Sequence, residues 1–211
     1  MVKRKHDTRW MAGVALTAAI VILLANTPLG MIPLPITKAT TVHVPVILGA
    51  IVFGPTAGAI LGGVFGICSV ISNTIAPSLT SFAFSPFMST TGLSGAVKAL
   101  WIAVGCRILI GLVAAWLWII LKKVRIPNYI ALPVVGFVGS MTNTVCVMGS
   151  IYLLLAPEYA AARNIGMEAL MGVIMTTVAV NGVPEALCAL VLVTAIGMAL
   201  LRFTRAGKEA K

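Results

Sequence analysis

Acidic residues are almost missing from this chain: five Asp and Glu among 211 residues, against fifteen Lys and Arg. Charged residues of both signs make up only 9% of the sequence, where a soluble domain carries about 25%. So few charges cannot cover a globular surface in water. With 60% hydrophobic residues and a mean hydropathy of +1.08, the chain suits lipid instead.

Other absences narrow the function. There is no GxxxxGK[ST] loop, so the chain cannot bind and split ATP through a P-loop. HExxH, GxSxG and paired acidic motifs are missing, and His6 and His43 stand alone; a membrane enzyme would lack both metal and nucleophile. Cys68, Cys106, Cys146 and Cys188 lie in separate apolar segments without a CxxC pair, which reads as reduced core residues and not a metal site. A net charge of +10 would suit nucleic acid, but the basic residues flank apolar runs and form no stripe on a soluble face.

What remains is a series of apolar runs. A membrane span needs about 20 mostly apolar residues. Trp10–Asn26, Thr41–Phe53, Thr56–Ile71, Ala99–Leu121, Ile130–Leu155 and Gly182–Leu201 predict six transmembrane helices in an all-α polytopic fold. This is one integral membrane domain over residues 1–211, with basic tails at 1–9 and 202–211. The charged start and apolar run of the first segment have the form of a signal peptide, but the spans that follow favour an uncleaved helix. The second segment is short and holds His43 and Pro45, so a clean crossing is not expected. The run Gly166–Leu201 is too long for one span; at "NGVPEA" Asn181 can cap a helix with Pro184 in its first turn. Met167–Val180 is therefore expected as a separate short helical or re-entrant piece.

Charge sets the orientation. Lys3, Arg4, Lys5 and Arg9, then Lys122, Lys123 and Arg125, then Arg202, Arg205, Lys208 and Lys211 hold 11 of the 15 basic residues. Six spans put all three clusters on one side, the cytoplasm by the positive-inside rule, with both termini there. Thr37–Thr41, Ser72–Lys98 and Ala156–Glu168 face the other side. Gly54, Gly58, Gly62 and Gly66 recur every four residues and predict a close helix–helix seam. Ala12, Ala15 and Ala19 make a smaller smooth face on the first helix.

Within "ALWIAVGCRILIGLVAAWLWIILKK" the only charge before the terminal lysines is Arg107. Counted from Ala99 it lies about 12 Å deep, at 1.5 Å per residue, too far for easy snorkelling. Its counter-charge is either Glu185 or a ligand carboxylate or phosphate, which the planar guanidinium suits. Asn143, among Ser140, Thr142 and Thr144, needs real partners, from another helix or from a ligand. Asn181 and Glu185 open the last helix as cap and first-turn acid, or reach a ligand. Thr40, Thr41 and His43 either line the outer mouth or solvate a helix end. Phe82, Phe84 and Phe87, in "SNTIAPSLTSFAFSPFMSTTG", suit a lid over a small organic ligand or an anchor at the membrane surface.

The pattern "PLPITKATTVHVPVILGAIVFGPTAGAILGGVFG", then "SFAFSPF", "GSMTNTV" and "NGVPEA", resembles the substrate-binding S component of energy-coupling factor (ECF) vitamin transporters, over nearly the whole chain. Within that family it is most similar to the pantothenate-specific subunits. The resemblance implies a six-helix subunit, not an enzyme and with no cofactor of its own, that captures a vitamin outside the cell and topples to deliver it. It implies docking on a transmembrane coupling subunit through the small-residue face of helix one, here Ala12, Ala15 and Ala19, and ATP use by two partner ATPase subunits. It also implies loops over the site, at Thr37–Thr41 and Phe82–Phe87. Arg107 would then take the vitamin's carboxylate and Asn143 its amide or a hydroxyl. Folate, riboflavin and hydroxymethylpyrimidine are the alternative ligands, and a self-sufficient ion-coupled carrier is the competing class.

Overall fold

The computed structural model describes residues 8–27, 30–33, 38–89 and 91–209, with the side chains of 31–33, 38–39 and 203–209 excepted. Expectations for Lys3, Arg4, Lys5, His6, Thr37 and Lys211, and for the side chains of Arg205 and Lys208, lie outside the described residues.

The chain begins with α1 (Thr8–Ala25). A small antiparallel hairpin follows, β1 (Met31–Pro33) and β2 (Lys38–Thr40), with Met31 opposite Thr40. Next come α2 (His43–Phe53) and α3 (Pro55–Ile75). After two short 3₁₀ turns at Ser81–Ala83 and Pro86–Met88, α4 (Gly92–Leu100) continues through a π-turn at Trp101–Gly105 into α5 (Cys106–Lys123). Then come α6 (Asn128–Leu154), α7 (Ala156–Arg163) and α8 (Met167–Thr177). A second π-turn, Val178–Gly182, leads into α9 (Val183–Glu209).

Among the described residues, five helical rods are long and apolar enough to cross a membrane: 8–25, 55–75, 92–123, 128–154 and 167–202. As expected, α2 is not a clean crossing. Its 11 residues reach about 17 Å, half the hydrocarbon thickness, and nine of them are buried among the other helices.

One expectation is overturned. The chain does not break at Asn181, and Met167–Val180 is not a separate piece: residues 167–202 form one rod of 36 residues. Pro184 lacks an N–H, and its ring would clash with the carbonyl four residues earlier in a regular helix. That carbonyl belongs to Val180, inside the π-turn, where the widened backbone absorbs the clash without ending the helix. Asn181 therefore caps nothing.

The glycine seam forms over three of its four expected positions. Gly58 and Gly62 pack on α5, and Gly66 on the π-turn before it, so closely that a methyl on any of them would fall on the backbone of Gly111, Arg107 or Val104 respectively. Gly111 returns the contact to Gly58, so the two helices run antiparallel with touching backbones. Gly54 is not part of the seam. It makes the turn between α2 and α3 with φ +92°, a conformation that favours glycine.

Trp10 Nε1 donates to the Phe53 carbonyl at 3.0 Å and ties the start of α1 to that turn. Gly136 lies against the Ala189 carbonyl, and Gly182 against Thr144, so α6 and α9 are also antiparallel. The start of α1, the α2–α3 turn, the basic α5–α6 turn and the end of α9 thus share one end of the bundle. The hairpin, the α3–α4 loop and α7 occupy the other.

Replacing Gly62 by Ala should force the α3 and α5 backbones apart at a cost of about 1–3 kcal/mol. Gly63→Ala, whose methyl would meet only Ile108 Cγ1 at 4.0 Å, should leave stability nearly unchanged. The melting temperatures of the two variants in detergent check this; equal values would mean that the seam does not carry the packing.

Candidate ligand site

The buried apolar residues fall into two clusters stacked along the bundle. One surrounds α2, with Ile47, Leu61, Ile110, Ala114, Leu132, Val135, Ala189 and Val193. The other lies toward the hairpin and loop end, with Ile102, Cys106, Val147, Ile151, Tyr159, Leu170 and Ile174. On each long helix the buried polar residues sit in the gap between the clusters: Arg107 on α5, Ser140 and Thr144 on α6, Glu185 on α9. Asn143 lies in the same gap on α6, and buried His43 opens α2 at that level. Gly139 packs against Ile47 and Ala114, which sets this layer one to two turns above that contact.

Arg107 is buried, and among the described residues no carboxylate pairs with it. Its Nη1 donates to the Ile102 carbonyl at 2.8 Å, within the π-turn. A π-turn shifts the backbone pattern out of the α register and leaves a carbonyl for a side chain to use. The guanidinium carbon lies 5.1 Å from the Phe65 ring centre and 5.2 Å from that of Phe84. These are cation–π distances, and in a desolvated place each is worth about 2 kcal/mol. Nε is buried and has no hydrogen-bond partner.

Glu185 does not pair with Arg107. Its Oε1 accepts from the Thr40 N–H at 2.9 Å and from the Thr40 hydroxyl at 3.0 Å, clasping the hairpin to α9. The expected choice for Arg107, between Glu185 and a ligand, thus loses its first option among the described residues.

Three other polar residues of this layer lack hydrogen-bond partners; outside it, Glu158 Oε2 on α7 is likewise buried and unpartnered. Both ring nitrogens of His43, Ser140 Oγ and Asn143 Oδ1 are buried and make no hydrogen bond. A buried polar atom left alone costs about 1–3 kcal/mol, and folded proteins keep few of them. Four such residues converging from α2, α5 and α6 on one layer have the character of a site made for a polar ligand. By contrast, Thr142 satisfies its hydroxyl on the Val138 carbonyl at 2.7 Å, as expected of a helical threonine.

The loop phenylalanines divide. Phe84 lies over Arg107, Phe82 packs partly buried on the outer apolar cluster, and Phe87 points away with 81% of its surface exposed. Thr40 serves the clasp, and Thr41 is buried beneath the hairpin, its N–H donating to the Gly30 carbonyl at 2.9 Å. Asn181, half-buried in the second π-turn, is not among the buried unpartnered groups. Phe65 was missed by the sequence reading. Only the packing of Gly62 on the Arg107 backbone, a contact made by the fold, brings Phe65 to the guanidinium.

A separate groove of about 560 Å³ runs between α1, α2 and α9, lined by Leu16, Ile20, Leu48, Leu192 and Ile196 among others. Its lining has no charged residue, and of the residues considered above as ligand contacts it holds Thr41. It faces lipid and offers a carboxylate nothing. Ala12, Ala15 and Ala19 are exposed on α1.

An all-helical membrane bundle with an interior layer of unsatisfied polar groups, and no hydrolytic or metal constellation in its sequence, defines a membrane-embedded small-molecule binding protein. Residues 9–197 match the ECF transporter, substrate-specific component, and the chain belongs to that family. It is similar to the pantothenic acid transporter PanT of Lactococcus lactis subsp. cremoris (strain MG1363), with 36% identity over 171 residues, 81% of each chain. It is thus a multi-pass transport subunit of the cell membrane, a partner of the ECF module and not an enzyme.

The clasp makes its own forecast. A hydrogen bond to a carboxylate is worth about 1.5–3 kcal/mol. Glu185→Ala should therefore speed exchange of the Thr40 amide about ten- to hundred-fold at 1.4 kcal/mol per decade, in hydrogen–deuterium exchange of the hairpin peptide. An unchanged rate would show that the hairpin is held elsewhere.

Proposed function

We propose that this chain is the pantothenate-binding subunit of an ECF transporter, taking the vitamin from outside the cell. The observation that carries the reading is the layer of buried, unpartnered polar atoms around Arg107. Pantothenate has one carboxylate, an amide, two hydroxyls and a geminal dimethyl group. Arg107 Nε supplies a charge-assisted donor for the carboxylate, while Nη1 stays anchored on Ile102. Asn143 Oδ1 accepts from the amide N–H or a hydroxyl, and His43 and Ser140 serve the remaining hydroxyl. Phe65 and Phe84 give the apolar walls. Thr40, Thr41 and Glu185 act at the mouth by holding the hairpin, and Asn181 borders the layer from the second π-turn.

The relative named as a pantothenic acid transporter supports this ligand. With Glu185 engaged by Thr40, riboflavin or hydroxymethylpyrimidine would leave the guanidinium uncompensated. Folate also carries carboxylates and is the second reading.

In this reading the basic end faces the cytoplasm. The chain docks through Ala12, Ala15 and Ala19, exposed on α1, onto a transmembrane coupling subunit driven by two ATPases. The free subunit uses no cofactor; ATP is spent by its partners.

Titration calorimetry of the purified subunit should give tight pantothenate binding. Removing one partner of a buried charge pair costs about 2–5 kcal/mol, so Arg107→Ala should weaken binding at least about thirty-fold. Retained affinity in the variant would take Arg107 out of the site, and tight binding of folate alone would replace the ligand. Ala15→Trp should abolish ATP-driven uptake by the whole transporter while leaving calorimetric binding intact; a joint loss of both would remove the docking role of that face.

A further inference from the structure

We propose that the segment joining α3 to α4, with the first turn of α4, lies in the membrane surface at the end of the bundle away from the basic turn, with Leu79, Phe87 and Leu93 inserted among lipid chains. These three side chains keep 74%, 81% and 84% of their surface exposed, and Ile75, which leads into them, keeps 78%. No Asp, Glu, Lys or Arg occurs anywhere from residue 44 to residue 97. A loop in water would expose its hydroxyls and bury its apolar side chains. Much of this loop does the reverse.

The hydroxyls it buries, beside the inward Phe82, Ala83 and Phe84, are satisfied within the segment and the end of α3. Ser81 and Ser85 are fully buried. The Ser78 N–H donates to Ser81 Oγ at 2.8 Å, Ser81 Oγ donates to Asn73 Oδ1 at 3.0 Å, and the Thr74 and Ser85 hydroxyls pair at 2.7 Å. Self-satisfaction of polar groups is what lipid demands of irregular backbone.

The outward face carries no charge and continues the exposed apolar surface of the bundle, with Ser78, Thr91 and Ser94 as its exposed hydroxyls. On α3 the exposed Ile60, Ile67, Ile71 and Ile75 form one stripe that runs into Leu79. On the other side Leu93, Val97 and Leu100 run down α4 toward Trp101. Depth agrees. The rod 92–123 is about 48 Å long at 1.5 Å per residue, against a hydrocarbon core of about 30 Å. With Lys122 and Lys123 at one interface, α4 reaches the opposite headgroup level, where apolar side chains insert about 5–10 Å.

The same segment carries Phe84 on its inner side, over Arg107. The cover of the ligand site is therefore seated on the bilayer. Lifting Phe84 moves side chains through lipid and not through water.

The test is site-directed spin labelling in phosphatidylcholine vesicles, on Leu79→Cys, Phe87→Cys and Leu93→Cys in a background lacking the four native cysteines. The labels should collide with oxygen in preference to a water-soluble nickel chelate and report depths of about 5–10 Å, approaching the lipid-facing control Ile67→Cys. Labels that match the exposed Asn164→Cys, beside Arg163 at the same end of the bundle, would overturn the proposal. So would dipolar broadening between labels, which would assign the face to a second copy of the chain. The unaltered protein gives an independent reading, valid even if the cysteine-free background fails to fold. In vesicles containing lipids with a diazirine on the acyl chain, carbene adducts should appear on peptides covering Leu79 and Phe87. Adducts confined to α3 and α5 would count against insertion.

Discussion

Everything in the upper half of this bundle answers to one constraint: a guanidinium held among apolar helices, paired with no carboxylate among the described residues. On insertion scales a charge at such depth costs about 2.5–3.5 kcal/mol. The chain meets it with three separate devices. A π-turn releases the Ile102 carbonyl for Nη1. Phe65 and Phe84 turn ring faces toward the charge. The glycine seam brings the α3 backbone against that of Arg107, so the side chain leaves α5 from a fixed point. None of these supplies an anion. Nε stays unpartnered, and that edge is where a ligand's negative charge belongs.

The two π-turns occupy matching places. Each interrupts a rod longer than 30 residues on the loop side of a buried ionisable residue, Arg107 in one and Glu185 in the other. Their uses differ. The first gives Arg107 a carbonyl; the second carries the backbone past Pro184 and lets Glu185 reach the hairpin. Had the rod broken at Asn181, the clasp on Thr40 and the packing of Gly182 on Thr144 would have lost their common frame. Continuity of the helix thus couples the hairpin at the mouth to the long α6–α9 contact beneath it.

Much of this was legible in the residues. Scarce charge and long apolar runs marked a membrane bundle, the glycine interval marked a seam, and Arg107 and Asn143 marked the polar layer. The motif order carried the family, which the match over residues 9–197 bears out. Phe65 and the Ile102 carbonyl escaped because nothing local sets them apart. A phenylalanine in an apolar helix and a backbone oxygen acquire a role only through what is packed against them.

The sequence by itself determined solvent and class, since apolar run length and charge placement are properties of the chain that lipid reads directly. Tertiary structure alone decided the pairings. Glu185 stood open to Arg107, to a first-turn place on the last helix and to a ligand, and the loop phenylalanines stood open to a lid or to the membrane surface. Only the folded bundle turns Phe84 onto the guanidinium and Phe87 outward, and hands Glu185 to Thr40, a residue 145 positions away. Distances of that kind are closed by helix packing, and one-dimensional spacing has no access to them.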